Sequence, residues 1–257
     1  MNEPTRSHRG PWLALIGPAA LILAWGALAS LHLFPPSLFP HPLDVARGLM
    51  AEVRSGRLLD DVIASLFRVM VGFLLAVGLG VPAGLLLGRS LAARQAFLPI
   101  VNFFRSLSPL AWIPFAILWL GIGDPPAIFL IFMAAVFPMI LSTCAAVANI
   151  PSVYFRVARD LGIEGTELLR EVTLPAIAPQ VITALRVTAG LSWLVVVAAE
   201  MIAGRDGLGF AVWDARNGLR IDLLAASMVV IGLIGVGLDR LLVRLSRIPS
   251  VRWGYER

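Results

Sequence analysis

Val62-Ile-Ala-Ser-Leu-Phe-Arg-Val-Met-Val-Gly-Phe-Leu-Leu-Ala-Val-Gly-Leu-Gly-Val-Pro-Ala-Gly-Leu-Leu-Leu87 carries a single charge, Arg68. As a helix rising 1.5 Å per residue it would reach about 39 Å, more than the roughly 30 Å of bilayer hydrocarbon. The stretch therefore reads as a membrane span, with Arg68 near its start as an anchor. Five more segments have the same character, at residues 12–34, 97–120, 126–148, 175–203 and 223–243. The expected fold is all-α and polytopic, with about six transmembrane helices. The whole chain, 1–257, is expected to be a single transmembrane domain with its core at 60–243.

Composition agrees. Apolar residues make up 58% of the 257 and charged residues 14%, against about a quarter charged in soluble domains. All 21 basic residues are arginine. A P-loop requires a lysine to reach nucleotide phosphates, so this chain carries no standard ATPase motif, and an ATP-driven process would need another subunit. No catalytic residue is assigned, and the chain is not expected to be an enzyme. The basic balance does not indicate nucleic acid, because the arginines are scattered between apolar spans and gather at their ends. Cys144 stands alone in a span, and His8, His32 and His41 lack metal-ligand spacing, so neither a disulfide framework nor a metal site is expected. Arg6 and Arg9 before an apolar run, with Ala27-Leu28-Ala29, have the outline of a signal peptide. The run is longer than such a segment usually is, and it is read as a retained span.

Arginine counting orients the spans. One side collects Arg6, Arg9, Arg89, Arg94, Arg156, Arg159, Arg170, Arg244, Arg247, Arg252 and Arg257. The other holds Arg47, Arg54, Arg57, Arg205, Arg216 and Arg220. Both termini are expected in the cytoplasm. Between spans, residues 43–58 space Val45, Leu49 and Val53 along one face of an outer amphipathic helix. Residues 204–222 suggest an outer loop with a short helix, and residues 149–174 form the longest charged inner loop.

That inner loop reads Arg156-Val-Ala-Arg-Asp-Leu-Gly162-Ile-Glu-Gly-Thr-Glu-Leu-Leu-Arg-Glu-Val-Thr-Leu174-Pro175. It predicts a helix, a glycine break and a second helix with Leu161, Leu168 and Leu169 as an apolar stripe, before Pro175 opens the next span. A helix showing charged and apolar side chains together suits docking in a partner's groove. The loop resembles the coupling loop of ABC importer permeases, E-A-A, three residues, Gly, nine residues, I-x-L-P. Ala158, Gly162, Val172, Leu174 and Pro175 match without gaps, while Arg156 and Val157 stand where the glutamate and first alanine are usual. Ser108-Pro-Leu-Ala-Trp-Ile-Pro114, Ala127-Ile-Phe-Leu-Ile-Phe132, Gly190-Leu-Ser-Trp193, Ala198-Ala-Glu-Met201, Gly207-Leu-Gly-Phe210 and Trp213-Asp214 resemble the nitrate/sulfonate/taurine/bicarbonate branch of these permeases.

The resemblance implies an inner-membrane permease for a small anion that forms the translocation path and is coupled to a separate ATPase. ATP and Mg2+ would be held by that ATPase, with no cofactor or metal in this chain. Implied partners are two copies of the ATPase subunit, a periplasmic or lipid-anchored substrate-binding protein, a second permease copy as a homodimer, and membrane lipid. Arg156, Val157, Ala158, Asp160, Leu161, Gly162, Glu164, Leu174 and Pro175 are the implied coupling residues.

Ionisable residues inside spans default to functional hypotheses. Arg105 precedes the proline-interrupted stretch Ser108–Pro114, where a broken helix suits a transport path. Arg105, Ser108, Trp112, Arg186, Trp193 and Glu200 are candidates for that path. Arg186 and Glu200 lie too far apart on one helix to pair and are expected to contact another span or the twin subunit. The competing reading is an autonomous secondary transporter or channel using intramembrane Arg and Glu.

Overall fold

The structure, a computed structural model, describes residues 13–245 apart from 32, 34, 36 and 37. The expectations for Arg6, Arg9, His8, His32, Arg247, Arg252 and Arg257 lie outside those residues. Among the described residues there are helices and no strand. In chain order they are α1 (Leu13–Ser30), α2 (Pro42–Ser55), α3 (Arg57–Arg89), α4 (Leu91–Ser106), α5 (Ile113–Leu120), α6 (Asp124–Ala148), α7 (Ser152–Asp160), α8 (Gly165–Glu167), α9 (Leu174–Ala203), α10 (Leu208–Asn217) and α11 (Ile221–Leu245).

The centre of the molecule is a ladder between α3 and α6. Gly72, Gly80, Gly84 and Gly88 face Ile131, Met139, Thr143 and Val147 respectively. Ala76 and Ala135, both fully buried, occupy the same register. Each pair differs by 59 in number (131 − 72, 139 − 80, 143 − 84, 147 − 88), so the two helices run parallel. Small residues every fourth position let the backbones approach closely, which is how packing holds helices together where lipid gives no hydrophobic drive. At Gly84 an added Cβ would sit 2.5 Å from Thr143 Cβ and 2.7 Å from the Ile140 carbonyl.

Parallel α3 and α6 require residues 90–123 to recross the membrane. The expected straight span at 97–120 is instead α4 and a second helical piece (Pro109–Leu120), bent by 84°. Leu107 and Ser108 are both extended, because the residue before a proline is pushed out of the helical region and Pro109 follows. Of the six expected segments, four are straight helices long enough to cross, and this broken pair can serve as a fifth. The first segment, expected at 12–34, has an 18-residue helix, about 27 Å long.

α9 runs antiparallel to α6, with Ile177 near Val147 at one end and Ala199 near Leu130 at the other. α11 runs antiparallel to α9, joined by Trp193 Nε1–H donating to the Ile231 carbonyl at 3.2 Å and by the Arg186–Asp239 pair. The bundle thus has two ends, one bearing α7 and the other α2 and α10.

α2 starts on Pro42, with the His41 side chain accepting the Leu43 N–H, and stops at Gly56 in the left-handed region (φ 82°). It packs on the start of α11, where Gly48 meets Leu223 and Asp222. The expected face holds only at its beginning: Val45 is buried and Leu49 half-buried, but Val53 is exposed. The expected helix inside 204–222 is α10.

Candidate functional site

At one end, α7 projects past the apolar helices. It closes with Gly162 N–H donating to the Arg159 carbonyl (3.0 Å) and Ile163 N–H to the Ala158 carbonyl (2.9 Å). This is the Schellman arrangement, and it needs a residue in the left-handed region after the helix. Gly162 supplies it at φ 75°. Ala158 is buried against the bundle, while Val153, Val157 and Leu161, spaced by four, form an exposed apolar stripe with Tyr154 beside it. Leu161 is 70% exposed. Arg156, Asp160 and Glu164 are exposed around this stripe.

The expected second helix is not separate from the following span. Gly165–Ala203 is one continuous 39-residue helical rod, through a π-helical stretch Leu168–Thr173. The reason is Pro175, which has no N–H to give an α-helical bond. The wider turn shifts the bonding just ahead of it: Leu174 N–H reaches Leu169 O, and Thr173 Oγ1–H reaches Leu168 O at 3.2 Å. Proline here is absorbed by a π-bulge instead of marking a helix start. The stripe expected from Leu161, Leu168 and Leu169 is divided accordingly, since Leu168 and Leu169 are half-buried on the rod. Leu174 and Pro175 are exposed on it.

At the opposite end lies a buried ionic cluster. Arg68 is 1% exposed. Its Nε–H donates to Asp124 Oδ1 (2.6 Å), its Nη1–H groups to Glu200 Oε1 (2.7 Å) and the Asp206 carbonyl (2.9 Å), and its Nη2–H to Asp206 Oδ1. Ser65 Oγ–H donates to Glu200 and accepts the Leu208 N–H at 2.9 Å. Asp61 Oδ1 accepts the Gly207 N–H (2.8 Å), and Glu200 Oε2 the Gly209 N–H (2.9 Å). The first backbone N–H groups of α10, which no intrahelical carbonyl can take, are thus satisfied by side chains of α3 and α9. Gly207 must be glycine twice over: its φ is 100°, and a Cβ would lie 2.5 Å from Glu200 Cδ and 2.7 Å from Arg68 Nη1. The stretches Ala198–Met201 and Gly207–Phe210 therefore meet in one knot. Nearby, Arg57 Nη2–H donates to Asp214 Oδ2 at 2.6 Å.

This overturns the reading of Arg68 as a membrane anchor. The available signal was its phase. Asp61, Ser65, Arg68, Gly72, Ala76, Gly80 and Gly84 share the buried face of α3, so the polar residues point where the glycines point, into the protein.

The path candidates do not share one surface. Arg105 and Ser108 are exposed at the bend, and Trp112 packs there against Phe104, itself stacked on Phe137 with centroids 5.4 Å apart. Arg186 pairs with Asp239 on α11 (2.6 Å), both about half exposed, in line with the expected contact to another span. Glu200 and Trp193 are both buried in this chain, Glu200 held by the knot and Trp193 by α11.

The architecture is a bundle of membrane-length helices with a short amphipathic helix, α7, at one end and an ionic knot at the other. The family described as "Binding-protein-dependent transport system inner membrane component" matches residues 77–248, and the chain belongs to it. The taurine transport system permease protein TauC of Escherichia coli (strain K12) is 33% identical, covering 96% of this chain and 95% of its own length. The nitrate import permease protein NrtB of Leptolyngbya laminosa is 40% identical, covering 70% of this chain and 65% of its own. Among solved structures, the inward-facing MetNI methionine ABC transporter matches with TM-score 0.60 and 22% identity, covering 74% of this chain and 96% of that one. The chain is therefore an ABC permease component of the inner membrane rather than a catalytic subunit.

Proposed function

We propose that this permease forms the translocation path of an ATP-driven importer for a small anion of the nitrate, bicarbonate, taurine or alkyl sulfonate class. The observation that carries the coupling role is the exposed stripe of Val153, Val157 and Leu161 beside Tyr154. Apolar side chains held past the membrane on a capped helix are the anchors that a groove on a partner receives. The partner is an ATPase subunit, which binds ATP and Mg2+.

The rod Gly165–Ala203 gives that docking a mechanical output. It extends about 57 Å, from beside α7 to Glu200 in the ionic knot. ATPase closure, pulling on α7, would tilt the rod and carry the knot and α10 with it. Two copies of the chain would rock about a shared interface, each α7 seated in one ATPase subunit, so that the path opens alternately to either side. The knot end, with α2 and α10, receives the substrate-binding protein. Arg105, Ser108 and Trp112 at the broken helix, and Arg186 on α9, are the path candidates with side chains reaching this chain's surface. A cation there lowers the cost of moving a dehydrated anion.

The distribution of arginine in the sequence supports placing the α7 end and both termini in the cytoplasm, since the side assigned to them carries eleven loop and tail arginines against six on the other, and loop arginine is retained on the cytoplasmic side.

The test is a mild-detergent pull-down of the tagged chain with identification of what accompanies it, followed by uptake in proteoliposomes. Recovery of an ATPase and a binding protein, with anion uptake that requires ATP, is the expected result. A chain that purifies alone and moves anions without ATP would overturn the reading.

A further inference from the structure

The α7 end also holds a cleft of about 710 Å³ between the ends of α3 and α6, the start of α4, and α7 with its following turn. Arg89, Arg94 and Arg159 line it, and Glu164 is the single acidic residue on its wall. Leu91 and Phe155 add apolar wall. None of the three arginines is ion-paired among the described residues.

Helix electrostatics accounts for two of these positions. Arg89 and Arg159 stand in the last turns of α3 and α7, where a cation complements the carbonyl end of the dipole. Arg94 does not fit that account. It follows the Ser90 cap by one turn in α4, at the end where a cation is disfavoured and an anion favoured. Three cations and one anion share a concave wall, with the misplaced cation part-buried. That arrangement calls for a counter-anion.

The level of the cleft says which kind. It opens at Gly88 and Val147, where the apolar runs of α3 and α6 end, and so lies at the depth of lipid headgroups. Phe155 and Arg159 are on a different face of α7 from Val153, Val157 and Leu161, leaving the docking stripe free. We infer that this cleft binds the phosphodiester headgroup of an anionic membrane phospholipid, with Arg89, Arg94 and Arg159 as its ligands. Basic pockets between spans near the membrane surface recognise lipids in this way. Lipid composition would then tune the segment that links α7 to the bundle, whether or not an ATPase is engaged.

The test uses the full chain in nanodiscs of phosphatidylcholine doped with phosphatidylglycerol, and native mass spectrometry reads the phosphatidylglycerol retained. One tightly held molecule per chain is expected, together with its depletion in Arg94→Gln, Arg89→Gln and Arg159→Gln, each by roughly fivefold. Arg216→Gln, which removes the same charge at the opposite end, should change nothing. Equal loss in Arg216→Gln would mean bulk attraction and overturn the site. Full displacement by inorganic phosphate would assign the cleft to a free anion, and stoichiometric displacement by added ATPase subunit would assign it to that protein; either overturns the lipid assignment. Titration of the unmodified chain with phosphatidylglycerol against phosphatidylethanolamine needs no variant, and equal retention of the two also overturns it.

Discussion

Arg68 Nη1 lies 2.7 Å from Glu200 Oε1 across 132 residues of sequence, and neither side chain reaches the surface. The pair ties α3 to α9, and through Asp124, Asp206 and the N–H groups of Gly207 to Gly209 it also ties in α6 and α10. Asp124 and Asp206 are about half exposed, so water can compensate them, but removing either Arg68 or Glu200 takes the partner from a fully buried charge, which typically costs about 3–5 kcal/mol.

The two partners are not equivalent. Arg68→Met leaves the carboxylates of Glu200, Asp124 and Asp206 facing one another without their shared cation. Glu200→Gln keeps an amide oxygen for Ser65 or the Gly209 N–H, and Arg68 keeps Asp124 and Asp206. Thermal unfolding in detergent should show Arg68→Met losing about 3–5 kcal/mol and Glu200→Gln distinctly less. Equal losses, or a near-neutral Arg68→Met, would mean that the knot is not a structural centre.

The α3–α6 ladder gives a second expectation. Gly84→Ala places a methyl against Thr143 Cβ and two backbone atoms of α6, none of which is a flexible chain end. Overpacking of this kind costs about 1–3 kcal/mol. Gly78→Ala, on the same helix, meets nothing within 4 Å and should be neutral or slightly stabilising, since alanine is the better helix former. A matched pair of melting curves decides it. Similar losses for both would mean that α3 does not use this face.

Much of this was legible in sequence, and the exceptions have physical causes. Apolar length identifies α3, α6, α9 and α11, and the loop spacing identifies α7 and its Gly162 turn. Arg68 was misread because a single charge near the start of an apolar run suits either an anchor or a buried partner. Its register with Ser65, Gly72 and Ala76 separates the two, but the partners that make burial tolerable are 56 to 138 residues away. Pro175 was misread for a different reason. Proline is a start signal in isolation, and only the π-helical turn shows that the helix runs through it. The bend after Ser106 was half legible: Pro109 and Pro114 mark a break, but its size depends on Leu107 and Ser108 both being extended.

The Arg186–Asp239 pair is about half exposed on α9 and α11. Charges exposed among lipid-facing helices are expensive unless they meet water or protein. Asp239→Asn should therefore reduce ATP-driven uptake, and Arg186→Asp combined with Asp239→Arg should recover part of it by restoring the pair in reverse. Uptake in proteoliposomes at matched protein insertion is the measurement. If the double variant is no better than the worse single one, the charge on α9 has a positional role, as a path residue would. If neither single variant loses uptake, the pair has no part in transport.

The roles proposed for the exposed stripe of α7 and for its turn can be separated by two substitutions. Leu161→Glu sits at an exposed position in ordinary helical-end backbone, so it adds charge to the stripe without strain. It should leave the chain folded in the membrane and abolish co-purification of the ATPase. Gly162→Arg acts on the turn. No atom lies within 4 Å of its Cβ position, so there is no clash, but a side-chain-bearing residue in the left-handed region costs about 1–2 kcal/mol. That strain falls on the Schellman closure between Ala158 and Ile163 and should loosen α7 from the rod without detaching it from its partner. The expected result is an assembled complex that hydrolyses ATP but no longer couples hydrolysis to uptake. Normal uptake in Gly162→Arg would show that the turn transmits nothing, while loss of the ATPase in that variant would show that the turn shapes the docking surface instead of the linkage.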